Sequence, residues 1–332
     1  MGSSTSSPFT ATITGLTENT TYYCKAYVGE WNENTNKYEY RYGPVKSFTT
    51  LSTSTGNNLG YLANYEVPDV SSLLNGQRTS GTYSPKEDKW YRYYTTNSSR
   101  QIAMHTYNQT RTYVVLYDET KYAPLWSAHA MNDGMWPNNS VGRNQSWCDD
   151  PAISLTQQSG LDNANSVGYS RGHFVASSDR QTHLYQNKQT FYYSNQAPQW
   201  QNGFNGNIWS KLEDQIQDLV PAAGSRDTLY VVTGVLYENN KTLPSGSLDV
   251  PIPSHFYKCL MLCSFNASGT MTGAQGCAYI FTNEYHTENS YDKLKNFAAK
   301  IDDIETLAGF DFFPRVPANL QTTAENSKAE LW

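Results

Sequence analysis

The chain of 332 residues contains no apolar run of about 18, so no segment reads as a membrane-spanning helix. Its start, MGSSTSSP, has neither a basic nor an apolar region, and no signal peptide is expected in it. Cysteine is scarce: Cys24, Cys148, Cys259, Cys263 and Cys277 form no CxxC pair and no Cys/His cluster at zinc spacing. Cys259 and Cys263, four apart on an expected strand, face one side but stand too far apart for an easy bridge. Buried, unpaired thiols are the expectation for most of the five. Charge is scarce as well, at 16%, with a net balance of -6. That balance argues against a surface-wide grip on duplex nucleic acid, while a local positive cleft stays compatible with it.

What the chain has instead is aromatic and polar-neutral. The 26 tyrosines and 8 tryptophans can fill a core while keeping a polar edge toward water, which offsets an apolar content of only 38%. A surface built from Asn, Ser, Thr, Gln and Tyr leans toward a secreted, periplasmic or cell-surface protein. Length suggests roughly two domains.

Residues 8–50 read as strands and turns: PFTATITGL, TYYCKAYVG, YEYRYG and PVKSFTT. LSTSTGNN at 51–58 is a linker, and Leu59 to Ser84 reads as loop with at most one short strand or helix. KWYRYYTT, RQIAMHTYN, TRTYVVLYDE and Ala123 to Ala130 each suit a strand, with Asn108 and Gln109 as a turn. His129 is expected to be a strand histidine. Residues 132–165 read as a long surface excursion. Thr228 to Tyr237, Phe256 to Phe265 and Cys277 to Thr282 complete the sheet, with a turn at 241–247. A helix within Tyr291 to Leu307 should cover one face of the sheet, and the tail from Ala318 should be soft and exposed, with at most a short final helix.

Convergent polar chemistry concentrates between Gly168 and Val220. SRGHF is followed by FYYSN, APQ, FN and a helical pattern in which Ile208, Leu212, Ile216 and Leu219 form the apolar stripe. His173 can accept a proton at neutral pH, which Asn or Ser cannot. Gly172 beside it implies a close backbone approach. Asn205 and Glu213 are eight residues apart, which leaves them roughly 80 degrees apart on one side of a helix.

These motifs resemble the DNA/RNA non-specific endonuclease family. The resemblance extends to YVVLY and PLW upstream and to IETLAGFDFFP downstream, spanning about residues 59 to 318. It implies an α+β fold of the ββα-metal type, with a central, mostly antiparallel sheet flanked by helices and preceded here by an N-terminal all-β segment. In that family the RGH histidine is the general base, matched by His173, and the metal ligand is an asparagine, matched by Asn205. Glu213 matches a glutamate near the metal's water shell, and Asn195 an asparagine that holds the arrangement or the phosphate. Arg171 matches the RGH arginine, and Arg143 resembles a transition-state arginine. The implied cofactor is Mg²⁺, with Mn²⁺ as a substitute, and the implied partner is DNA and/or RNA cut to 5'-phosphate products. Residues 8–50 separately resemble the last strands of a fibronectin type III domain. The domains expected are therefore 1–50, the linker 51–58, and an endonuclease domain at 59–332.

Two residues depart from the family pattern. Ser170 stands where an Asp is usual before RGH, and Gln217 where some members carry Arg. Loss of that cation should shift phosphate binding to Arg171, Arg180 or Arg143, or lower activity. A weakened relative that only binds nucleic acid or glycan is the alternative these departures keep open.

Overall fold

A computed structural model describes residues 21–49, 62, 64–82, 89–107, 110–132, 141–144, 146–155, 158, 161, 167–222, 224–243 and 249–328. The chain divides into two units, residues 1–60 and 61–332. In the first unit, β1 (Thr21–Cys24) pairs antiparallel with β4 (Lys46–Thr49), and β2 (Tyr27–Asn32) with β3 (Lys37–Tyr42). The expected strand at 8–15 and the linker at 51–58 lie outside the described residues.

The second unit is built on β5 (Leu74–Thr82), β6 (Lys89–Thr95), β7 (Arg100–Tyr107), β8 (Thr110–Asp118), β9 (Ala123–Met131), β12 (Thr228–Leu236), β13 (His255–Phe265), β14 (Met271–Thr282) and β15 (Ala298–Ala299). They form one nine-stranded sheet in the order β15-β14-β13-β12-β9-β8-β7-β6-β5, antiparallel throughout. All nine residues of β12 are buried, as its near-continuous apolar run requires. β12 and β9 are neighbours in the middle of the sheet, yet almost a hundred residues separate them in sequence. That connection carries the candidate site.

Phe204, Ile208, Trp209, Leu212 and Ile216 press onto Leu229, Val231, Phe256, Leu260 and Phe281, forming the main core on one sheet face. Each such side chain contributes about 1.5–3 kcal/mol by leaving water. On the other face Gly276, adjacent to the core residue Cys277, admits the backbone of α4 (Ala318–Glu325). A β-carbon there would stand 2.7 Å from the Ala324 carbonyl oxygen.

Several elements differ from the sequence expectation. The tail from Ala318 is not soft: Ala324 and Glu325 of α4 are buried against β14. The expected helix within Tyr291 to Leu307 is present as α3 (Ile301–Ala308), packed on β12 to β14, but a 3-10 segment, Tyr291–Phe297, and β15, which pairs Ala298 and Ala299 with Tyr279 and Ala278, precede it. Pairing the edge of β14 competes successfully with helix continuation. β5 is a full edge strand whose register shift between Leu74 and Arg78 absorbs Asn75 and Gly76, the latter at φ 84°. Three of the cysteines, Cys259, Cys263 and Cys277, are buried, and none of the five forms a disulfide among the described residues.

Candidate active site

The excursion between β9 and β12 includes two short strands and two α-helices, the first of them α1 (Leu184–Gln189). β10 (Tyr169–His173) pairs antiparallel with β11 (Gln196–Trp200), placing His173 opposite Gln196 and Ser170 opposite Gln199. Arg171 and His173 share one face of β10 by the two-residue period. Gly172 is needed because a β-carbon would lie 2.5 Å from that of Gln199. Behind the strand, Asn195 is fully buried. Its Oδ1 accepts the Val175 N–H (3.0 Å), and its Nδ2 donates to the carbonyls of Val175 (3.0 Å) and Thr190 (2.9 Å).

After β11 the chain enters a wide helical run, Gln201–Trp209, which passes into α2 (Ser210–Asp218). The run is broken at Asn202 and Gly203. Gly203 has φ 72°, and a β-carbon on it would meet the His286 carbonyl oxygen at 2.6 Å, so both conformation and space demand glycine. The break lets Phe204 enter the core while Asn205 turns outward beside Gly206.

A cavity of about 580 Å³ opens between these elements. Arg143, Arg171, His173, Asn205 and Glu213 all line it, together with Trp147, Ser170 and Gln201. Asn195 does not reach it and serves the backbone that follows His173. Ser170 hydrogen-bonds to the Gln201 side chain. His173 packs against the rings of Trp147 (4.7 Å between centroids) and Phe191 (5.0 Å), and its Nε2 is buried with no hydrogen-bond partner among the described residues. Burial, reinforced by the charges of Arg143 and Lys258, lowers its pKa to about 3. Arg143 lies over Phe191 at 5.1 Å and Arg171 over Trp147 at 5.7 Å.

Glu213 accepts the Trp209 indole N–H at 3.0 Å and sits 3.7 Å from Lys258 Nζ. Burial raises its pKa to about 7, against the opposing pull of Lys258. The sequence reading missed this layer beneath the cavity. Lys258 is almost completely buried on β13, and Asp179 is held by His129 Nε2 at 3.1 Å and by the Gln217 amide at 3.3 Å. The signal available was a single lysine inside the apolar run HFYKCLMLCSF. His129 is indeed a core histidine of β9. Arg180 is unavailable to a phosphate: it is wholly buried and donates to the carbonyls of Thr112, Asp179 and Ala130.

Asn205 donates its amide N–H to the Gln199 side chain, which leaves Oδ1 with no donor among the described residues. A hard cation that keeps much of its water shell needs oxygen ligands of this kind, and Glu213 offers further acceptors for that water. These residues fit a bound Mg²⁺.

A family model described as DNA/RNA non-specific endonuclease matches residues 92–319. Nuclease C1 of Cunninghamella echinulata var. echinulata is 28% identical over 218 residues, covering 63% of this chain and 82% of that protein. Human mitochondrial endonuclease G is 26% identical over 216 residues, covering 62% of this chain and 69% of its own length. Among solved structures, a chain of the EndoG/EndoGI complex, described as showing the mechanism of EndoG inhibition, superposes with a TM-score of 0.54 at 25% identity. That match covers 65% of this chain and 88% of the other.

Proposed function

The chain belongs to the DNA/RNA non-specific endonuclease family, and from that premise we propose that it hydrolyses phosphodiester bonds of DNA and/or RNA, using Mg²⁺ or Mn²⁺, to leave 5'-phosphate ends. The observation that carries the reading is the convergence of His173, Asn205, Glu213, Arg171 and Arg143 on one cavity. His173 is the general base. With its pKa near 3 it is neutral throughout the physiological range, the form that accepts a proton, and an entering phosphate brings negative charge that raises its basicity.

Asn205 would hold the metal through Oδ1, with Glu213 beside it to hold water, and a metal bound there would supply Lewis-acid stabilisation of charge on the phosphoryl oxygens and the leaving 3'-oxygen. Arg171 and Arg143 grip phosphate oxygens, with their guanidinium groups kept over Trp147 and Phe191. Asn195 holds the chain beyond His173 so that the imidazole faces the cavity. A site built on phosphate and metal has no means of reading base sequence, so cleavage is sequence-non-specific.

As part of the same proposal, the strands of residues 21–49 belong to a fibronectin type III-like segment ahead of an endonuclease domain at 59–332. The antiparallel pairing of Thr21–Cys24 with Lys46–Thr49 supports this. The polar-neutral surface composition supports an extracytoplasmic location.

The test is incubation with closed circular DNA and a structured RNA in Mg²⁺, beside an EDTA control and His173→Ala. Metal-dependent nicking that is lost in the variant is expected. Folded protein that cuts neither polymer in Mg²⁺ or Mn²⁺ would move the chain to the binding-only class.

A further inference from the structure

Lys258 takes no part in the chemistry just described, and its position on β13 is one that an apolar side chain would fill. It is 1% exposed, and an ammonium so placed is costly unless its surroundings compensate it. Three groups from separate elements do so at close range, and the charge of Asp179 adds to them. Thr233 Oγ1, on the directly opposite residue of β12, lies 3.0 Å from Nζ. The carbonyl oxygen of Phe174, the residue after His173, lies at 3.3 Å. Glu213 Oε1, on α2, lies at 3.7 Å. Nζ also stands 4.9 Å from the ring centroid of Trp209, whose indole donates to that same Glu213 oxygen. Gln217, one helical turn beyond Glu213, adds no charge there; its amide is bonded to Ser178 and Asp179.

One ammonium therefore joins the backbone beside the base to the carboxylate on the helix. We propose that Lys258 is a positioning residue for the hydrolysis: anchored on β12 by Thr233, it ties the strand of His173 to Glu213 and sets the span across which water and phosphate are held. This rests on the hydrolytic reading given above. Phe174 and Glu213 belong to the two arms of the excursion, and β13 is an interior strand, paired on both sides, to which both are referred. Without the brace, His173 and Glu213 are each still placed by their own element, but the distance between them is no longer held.

The test is a double-mutant cycle in the full chain, with kcat and KM measured on circular DNA at saturating Mg²⁺. Lys258→Met is expected to lower kcat about 10- to 100-fold, as loss of a partner that orients a ligating group does, with KM changed less than about threefold. In a Glu213→Gln background the same substitution should cost less than about twofold, because the partner it positions is already neutral. Equal losses in both backgrounds, or a wild-type rate for Lys258→Met, would overturn the brace. Should Lys258→Met fail to fold, Thr233→Val, which keeps the strand's β-branched shape, decides the matter through the same cycle. A fall in kcat that vanishes beside Glu213→Gln supports the brace, and an unchanged or fully additive kcat refutes it. Absence of cleavage by the unmodified protein would instead strike the hydrolytic reading, and this one with it.

Discussion

The cavity and the polar interior beneath it contain the same residue types and use them in opposite ways. In the interior, His129 is bonded to Asp179 at 3.1 Å and His105 to Asp150 at 3.0 Å, each pair fully buried. In the cavity, His173 has aromatic rings and cations for neighbours and an Nε2 with no hydrogen-bond partner among the described residues. The asparagines divide likewise. Asn195 and Asn187 have their amides consumed by buried groups, whereas the Asn205 carbonyl oxygen meets no donor among the described residues. Unused bonding capacity, held rigid at the edge of a cavity, distinguishes the site better than residue identity does.

The comparison breaks most sharply at the two histidine environments. His173→Ala should lower kcat by about 10²- to 10⁴-fold, the usual worth of a general base, and cost less stability than the loss of a buried pair, since among the described residues its Nε2 has no hydrogen bond to lose. Asp179→Ala should do the reverse in kind. Removing one partner of a buried pair leaves His129 without its acceptor, and chemical denaturation should register a loss of about 3–5 kcal/mol. A His173 variant that unfolds, or an Asp179 variant of full stability, would erase the distinction.

The asparagines sharpen it at a smaller scale. Asn205→Ala should raise the Mg²⁺ concentration for half-maximal cleavage by about 10- to 100-fold, whereas Asn195→Ala should leave that concentration nearly unchanged. The cost of Asn195→Ala should fall on stability, at about 1–3 kcal/mol for each buried group left unpaired. Metal titrations followed by cleavage, beside melting curves, separate the two.

The smallest effect concerns the far face of the sheet. Glu325 and Glu305, near Asp302, have their carboxyl pKa values raised by burial to about 8 and about 7. The folded state thus keeps protons that the unfolded chain gives up near pH 4.5, so stability is fully present below that pH and declines as pH rises through 7 to 8. Glu325→Gln should flatten the decline measured between pH 5 and 8; an unchanged slope would assign it to other groups.

Most strands were legible because alternation and apolar runs are local signals. The four expected strands between Lys89 and Ala130 match β6 to β9 to within a residue or two. The amphipathic stripe Ile208, Leu212, Ile216 also faces the core as its spacing requires, although Gly203 breaks the run where no period announces a break. What escaped was decided by competition between distant parts. The Ala298–Ala299 strand exists because β14 offers an edge, and α4 is ordered because Gly276 leaves room for it.

The sequence by itself determined the periodicities, the glycines that admit close backbone approach, and the motif that brings Arg171, His173, Asn205 and Glu213 within one excursion. Only the tertiary structure decided which polar groups are spent and which stay open. His129 meets Asp179 across 50 residues, and Lys258 meets the Phe174 carbonyl across 84. Such pairs depend on sheet register and on where the excursion lands, and burial then makes their polar atoms seek partners in a medium without water. No local pattern encodes that choice, because it is the packed fold that removes the solvent.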